Sequence, residues 1–365
     1  MSRLLMISGD RAIARGRRGA FYNTLEEFHK HWERIDVVTP SIGMSVSQVL
    51  FGNVYIHSSP WPLILQPLYI LKKGLQLHRK QTFDVMTVHE YPPFYNGIGA
   101  WLLHRKIGIP YLLEIMHIAG YPKAGNVKEL IYRFLTKALI RFDAKPATKI
   151  RVINRTQTPR FLISGGVPEN KIVYIPAFYI DLEVFTLRDI TKDIDYLFVA
   201  RLVDNKGVFL FLDAVRQLSG RAYIVGEGPA RARIEKYIEK YQLQNRIQLH
   251  GWAANSQEIA HVMNRSRILI MPSYNEGGPR VVLEAMACGV PVIATPVGIV
   301  HDVIVHGESG YVVGWNAHDI KEGIDKLLSN PEYYQRLRDQ GLVIASQFER
   351  VKSIQAYAEG IRSLL

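Results

Sequence analysis

Residues 267–295, RILIMPSYNEGGPRVVLEAMACGVPVIAT, constrain the fold of this chain more than any other stretch. The apolar run Ile268 to Met271 is short enough to be one buried parallel strand, and Pro272 and Ser273 end it. Gly277 and Gly278 permit backbone angles and close approaches denied to residues with a Cβ, and Pro279 suits the first position of a helix. The pattern predicts a helix from Pro279 to Cys288, Gly289 as its left-handed stop, and Pro291 to Thr295 as the next buried strand. Strand, glycine loop, helix and strand make a βαβ unit. In open parallel sheets ligands bind beyond the carboxyl ends of the strands, and a helix N-terminus offers N–H groups and a positive dipole end to an anion.

Two carboxylates sit on this unit, Glu276 in the loop and Glu284 about one turn into the helix, with seven residues between them. Helical side chains lean towards the N-terminus, so Glu284 is expected to reach back to the mouth of the loop. Two readings stay open. The acids accept hydroxyls of a ribose and a hexose, or they are ordinary acids favoured by the dipole at a helix N-terminus.

The stretch PSYNEGGPRVVLEAMACGVPVIAT resembles the donor-binding signature of the large retaining glycosyltransferase family with the GT-B fold, glycosyltransferase family 4-like or group 1. More loosely, the resemblance covers nearly the whole chain. It implies an α/β architecture of two facing Rossmann-like domains with parallel sheets, and a C-terminal helix crossing back to the first domain. On that reading residues 1–182 form an acceptor-side domain, 183–346 a nucleotide-sugar-binding domain, and 347–365 the returning helix. Glu276 then contacts the transferred sugar and Glu284 the nucleotide ribose.

Composition fits such a chain. With 365 residues and 48% hydrophobic content, two cores are expected. Cys288 is the single cysteine, so an intrachain disulfide is excluded and a structural, buried role is expected. The apolar start, Leu4 to Ile7, is only strand length, and no apolar run reaches the roughly 18–20 residues that span a bilayer. A cytoplasmic protein is expected, soluble or peripheral on the inner face of the cytoplasmic membrane. The net charge of +12 lies entirely in the first half: residues 1–180 hold 24 Lys and Arg against 11 Asp and Glu, and the remainder 21 against 22. The basic half points to an anionic acceptor, glycan or lipid-linked, or to an anionic membrane surface. No nucleic-acid module is recognisable, and nucleic acid is not expected.

Along the chain, Arg3 to Ile7 reads as the first strand, followed by a loop carrying Arg11, Arg15, Arg17 and Arg18 among Gly9, Gly16 and Gly19. Asn23 or Thr24 is expected to cap a helix running to Trp32. The resembled family has paired glycines approaching the donor diphosphate here. This chain has Arg18 and Gly19, so either a charge partly replaces backbone approach or the loop is a solvated basic one. Residues 59–81 mix Trp61, Leu63, Ile64, Leu65, Leu68 and Tyr69 with Lys72, Lys73, Arg79 and Lys80, and read either as a membrane-interface segment or as a core helix with a basic outer face. IPYLLEIMH resembles the family strand whose terminal histidine faces the transferred sugar, which implies that role for His117, with His89 as second choice. Lys149 to Asn154 is expected to close the first sheet. Ala177, Phe178 and Tyr179 replace the asparagine and glycine usual before the aspartate in the family.

In the second half, Tyr196 to Ala200 begins a new sheet and runs into Arg201, Lys206 and Gly207. By resemblance Arg201 and Lys206 grip a diphosphate, one as a fork and one as a point charge, aided by the N–H groups of Gly277 and Gly278. Glu276 and His117 then orient the sugar, and the leaving phosphate takes the acceptor proton. No His and Cys cluster with ligand spacing is present, and the resemblance implies metal-independent transfer with no cofactor beyond the nucleotide-sugar donor. The implied activity is a retaining hexosyltransferase. Another GT-B sugar-nucleotide enzyme, an epimerase or hydrolase, and a non-catalytic membrane-associated partner are the alternatives. A NAD-dependent oxidoreductase is disfavoured, because the glycine loops lack GxGxxG with an acid about 20 residues later.

Overall fold

The computed structural model describes residues 2–176 and 178–365. Ala177, one of the three family departures, lies outside the described residues. The chain divides into two compact units, one of residues 2–118, 134–176 and 351–365, the other of Ala119–Arg133 and Phe178–Arg350. Residues 119–133 thus group with the second unit, whereas a division at residue 182 places them in the first.

The first unit holds strands β1 (Arg3–Ile7), β2 (Arg34–Thr39), β3 (Ser47–Leu50), β4 (Val54–Ser58), β5 (Val85–His89), β6 (Tyr111–Ile115), β7 (Lys149–Val152) and β8 (Ile172–Tyr174). They form one sheet in the order β3-β4-β2-β1-β5-β6-β7-β8, parallel except for the β3–β4 hairpin. The strand expected to close this sheet is not its edge, because β8 pairs beyond β7. Strand order reverses between β1 and β5, the place where doubly wound sheets open a crevice. The helices are α1 (Ala20–Phe28), α2 (Gln66–Lys80), α3 (Tyr95–Ile107), α4 (Val127–Ala144, which belongs to this unit from Phe134 on) and α5 (Gln157–Ser164).

The helix expected to start at Asn23 or Thr24 starts earlier, with Gly19 as its N-cap. Thr24 lies inside it and bonds back to the Ala20 carbonyl at 2.9 Å, the local competition that disfavours threonine in helix interiors. In α2 the residues Tyr69, Ile70 and Leu77 are buried, and the missing Cβ of Gly99 in α3 makes room for Ile70. Ile64, Leu65 and Leu68 stay exposed. The segment 59–81 is therefore a core-packed helix with an apolar leading end left uncovered.

The second unit holds β9 (Ile194–Val199), β10 (Ala222–Val225), β11 (Ile247–Gly251), β12 (Ser266–Met271), β13 (Val292–Ala294) and β14 (Tyr311–Val312). Its helices are α6 (Val208–Val215), α7 (Arg231–Lys240), α8 (Ser256–Asn264), α9 (Arg280–Ala287), α10 (Val300–Val303), α11 (Ala317–Ser329) and α12 (Pro331–Ala345). The all-parallel sheet runs β11-β10-β9-β12-β13-β14, with the reversal between β9 and β12. Alternation along the strands fills two cores. Leu269 and Met271 of β12 pack with α9 on one face, while Ile268 and Ile270 pack with α6 and α11 on the other. Cys288 is fully buried in the first of these, and burial pushes its thiol up to about 12. A last helix, α13 (Arg350–Arg362), returns from Val351 onward to the first unit, where Tyr357 and Ile361 are buried.

Two buried charge clusters mark the first unit. Arg151 donates to Glu114 at 2.6 Å and to the Ile175 and Pro176 carbonyls, and Tyr357 donates to the same Glu114 oxygen at 2.7 Å. The second cluster pairs Glu90 with Asp143, which both crowd Gly97 so closely that a Cβ there would strike them. Burial raises both carboxyls, and the Asp143 carboxylate raises Glu90 further; Asp143 is pushed up to about 7. Unfolding lets Asp143 ionise near its ordinary value, so the pair costs stability as pH rises from about 4 through about 7. Asp143→Asn is expected to leave Tm unchanged near pH 4 and to raise it by about 2–6 °C at pH 8, flattening the profile that differential scanning calorimetry records. An equal slope in both proteins counts against the raised Asp143 carboxyl.

Candidate functional site

The crevice of the second unit lies where β9 and β12 diverge, and the second-half residues singled out in the sequence lie on the segments that leave these strands. Past β9, Arg201 is exposed, with no acidic side chain paired to it among the described residues. Its flanking backbone is held from below: Leu202 donates to Glu227 at 2.8 Å and Ala230 donates to Leu202 at 3.0 Å. Gly226 makes this possible. Its φ of 147° suits no L side chain, and a Cβ would collide with the Ala200 carbonyl. A short 3-10 turn, Asp204–Lys206, follows, and Gly207 at φ 70° turns the chain into α6 against the Pro272 carbonyl.

From this turn Lys206 crosses to the loop after β12 and binds Glu276 in a short ion pair, both side chains about 15% exposed. Ser273 donates its hydroxyl to the same Glu276 oxygen at 3.1 Å. The loop beneath is fastened throughout. Thr295 and Trp315 both donate to the Ser273 carbonyl, at 2.5 and 2.9 Å. Asn275, fully buried, donates to the Lys123 carbonyl at 3.0 Å and to Glu129 at 2.8 Å, and accepts from Asn205 at 3.3 Å. Tyr274 N–H donates to the Asn205 carbonyl at 2.8 Å. Ser273, Asn275, Asn205 and Trp315 thus hold the loop that carries Glu276 in one position. Ser273 and Asn275 stand inside residues 267–295, but Lys123, Glu129, Asn205 and Trp315, which fasten them, are too distant in sequence for a local signal.

The helix expected over Pro279 to Cys288 is α9, Arg280–Ala287, with Pro279 as N-cap rather than first helical residue. Its end follows the expected form: Gly289 at φ 64° donates to Met286 and Val290 donates to Ala285, a Schellman pair. Gly278 is required for space rather than for a left-handed angle, since a Cβ would fall on the Phe178 ring. Glu284, one turn in, is half-buried, and its carboxylate has no side-chain hydrogen bond among the described residues. Burial raises its pKa, and Arg280 opposes that shift. An acceptor held this way, partly dehydrated yet reachable, suits a hydroxyl ligand.

In the first unit, Gly19 caps α1 beyond β1, and a Cβ built there meets nothing within 4 Å, so its backbone faces open space. Arg18 lies over the Tyr22 ring at 5.4 Å. The basic loop before them is fixed, because Ile13 is buried and Asp10 accepts from the Ala12 and Ile13 N–H groups at 2.6 and 3.0 Å. His117 lies two residues past the end of β6 and is exposed; His89 ends β5 half-buried, its pKa lowered by burial. Within the second unit the fold therefore gathers Arg201, Lys206, Glu276, Gly277, Gly278, Pro279 and Glu284 around one strand switch.

Residues 182–342 match the family described as Glycosyl transferases group 1. A protein of Escherichia coli strain K12 named as a colanic acid biosynthesis glycosyltransferase, WcaL, is 30% identical over 279 residues, 66% of this chain and 67% of its own. The chain belongs to the group 1 glycosyltransferases. Among solved structures, sucrose-phosphate synthase from Thermosynechococcus elongatus covers 100% of this glycosyltransferase and 99% of its own chain with a TM-score of 0.84 at 18% identity. Anabaena HepE in complex with UDP and glucose covers 100% of each at a TM-score of 0.77 and 18% identity. The two doubly wound units are thus those of the GT-B fold. Among the described residues no helix is long and apolar enough to cross a membrane.

Proposed function

We propose that this glycosyltransferase moves a hexose from a nucleoside-diphosphate sugar to a glycan or lipid-linked acceptor, with retention at the anomeric carbon and without a metal. The observation that carries the reading is the Lys206–Glu276 pair at the strand switch of the second unit, with Arg201 exposed past the end of β9. The donor diphosphate sits on Arg201, Lys206 and the N–H groups of Gly277 and Gly278. As it binds, Lys206 turns from Glu276 to phosphate, and the released carboxylate accepts a sugar hydroxyl held in place by the Ser273 and Asn275 network. Glu284 accepts from the ribose. His117 and Gly19 belong to the first unit, and their roles rest on the family resemblance alone.

Chemically, the anomeric bond to the diphosphate oxygen loosens, and Arg201 and Lys206 stabilise the charge that develops there. The acceptor hydroxyl attacks from the same face and passes its proton to that leaving oxygen, so no protein nucleophile is needed. HepE was solved with UDP and glucose, which makes uridine the first base to test. The basic first half favours an anionic acceptor.

The test is thermal stabilisation by a panel of nucleoside diphosphates and their sugars. At about a hundredfold excess over Kd, one base series is expected to raise Tm by roughly 5 °C. Arg201→Ala and Glu284→Ala are expected to abolish most of that shift while melting normally without ligand. Silence across the whole panel removes the donor reading.

A further inference from the structure

The first unit carries an apolar surface that its own core does not use. Both α3 and α4 bury one stripe, Ala100 and Leu103 in the former, Ile140 and Ala144 in the latter. Each also turns a second apolar stripe outward: Ile98 and Trp101 at helical spacing i, i+3, and Leu135, Leu139 and Phe142 at i, i+4, i+7. Phe142 is 72% exposed. Four of these side chains, Ile98, Trp101, Leu139 and Phe142, line one groove of about 680 Å³, so the two stripes are a single continuous surface. An apolar groove of this kind is not an ordinary feature of a surface in water.

The charges around it all have one sign. Arg105, Lys106, Lys137, Arg141 and Lys145 are exposed on the same two helices and the turn that follows. The only acids in residues 91–118 and 134–160 are Glu114, which is buried, and Asp143, which is turned against Glu90 and Gly97. A second copy of this surface would bring five cations against five, a like-charge contact that costs affinity. A layer of anionic headgroups over an apolar interior matches both the rim and the groove.

We infer that this face of the first unit docks on an anionic lipid bilayer. Trp101, Leu139 and Phe142 enter the acyl boundary, a lipid chain occupies the groove between α3 and α4, and the five cations meet the headgroup phosphates. The inference deepens the proposed function, on which it rests only for placing a lipid-linked acceptor beside the enzyme. It also moves the membrane contact from the α2 segment to the α3–α4 face.

Flotation of the whole protein with vesicles tests it, comparing pure phosphatidylcholine with phosphatidylcholine containing about a third phosphatidylglycerol. Binding is expected on the anionic vesicles only, and to weaken with salt. Trp101→Ser/Phe142→Ser is expected to lower the partition coefficient at least about tenfold. Lys137→Gln/Lys145→Gln is expected to lower it and to flatten the salt dependence. Brominated acyl chains are expected to quench tryptophan emission in the wild type, with most of that quenching lost in Trp101→Phe. Unchanged melting and an unchanged nucleotide-induced Tm shift certify that the variants are folded. A missing nucleotide shift in the wild type counts against the donor reading and leaves this test intact. Absence of binding to anionic vesicles, equal binding by the Trp101→Ser/Phe142→Ser variant, or a wild-type dimer that this variant dissolves would overturn the inference.

Discussion

Lys206→Ala is expected to slow donor turnover, read as release of the nucleoside diphosphate, by about 10²–10³-fold in kcat/KM, or roughly 3–4 kcal/mol. Two losses combine in that number. The developing charge on the leaving phosphate loses a cation, and Glu276, no longer neutralised by its partner, presents a bare carboxylate to the incoming diphosphate. The second loss can be separated from the first. In Lys206→Ala/Glu276→Gln the repulsion is gone, so donor binding is expected to recover relative to Lys206→Ala while turnover stays low. Residues that share a contact do not contribute additively, and the double variant is expected to fall well short of the summed single effects. Wild-type turnover in Lys206→Ala refutes the assignment of the pair to the donor.

Glu114→Ala is expected to have the largest effect on stability, about 3–5 kcal/mol, enough to threaten the first unit outright. Arg151 is 1% exposed and Glu114 3%. Removing the carboxylate leaves a guanidinium in the core, with its Ile175 and Pro176 carbonyl bonds but no counter-charge, and leaves the Tyr357 hydroxyl without an acceptor. The guanidinium also stacks on the Tyr357 ring, 3.7 Å from its centre, so the three groups move as one. Tyr357→Phe retains the charge pair and the stacking and is expected to cost only about 1 kcal/mol. Urea denaturation, read on the transition of the first unit, compares the two. Similar midpoints for Glu114→Ala and Tyr357→Phe would mean that the ion pair is not the determinant.

Much of the second unit was legible in the sequence because its strands are buried on both faces and bounded by glycine and proline. Ile268 to Met271, the turn at Gly289 and the run from Pro291 to Thr295 are each specified within a few residues. Arg201, Lys206 and Glu276 were placed at strand ends by the same logic. What the sequence did not disclose has no local signal. The edge strand β3 alternates between half-buried and exposed residues, and β8 is three half-buried residues at the far edge, so neither shows an apolar run. Gly19 caps α1 with its backbone alone, and Asn23 and Thr24, the residues that ordinarily mark a start, sit inside the helix. Glu90 and Asp143 come from distant parts of the chain, as do Asn275 and Glu129. The outward stripe of α4 was hidden for another reason: apolar residues on both faces read as core.

The return of α13 bears on the order in which this chain can be made. Residues 351–365 are synthesised after every other part of the first unit, yet they supply Tyr357 to its buried ion pair, a ring stacked on Phe28, and Arg362, which donates to the His31 carbonyl. Everything the second unit needs, Ala119–Arg133 included, has emerged by Arg350. On the ribosome, where domains ordinarily finish in N-to-C order, the unit that begins the chain is the one left waiting, its core open until the last helix arrives.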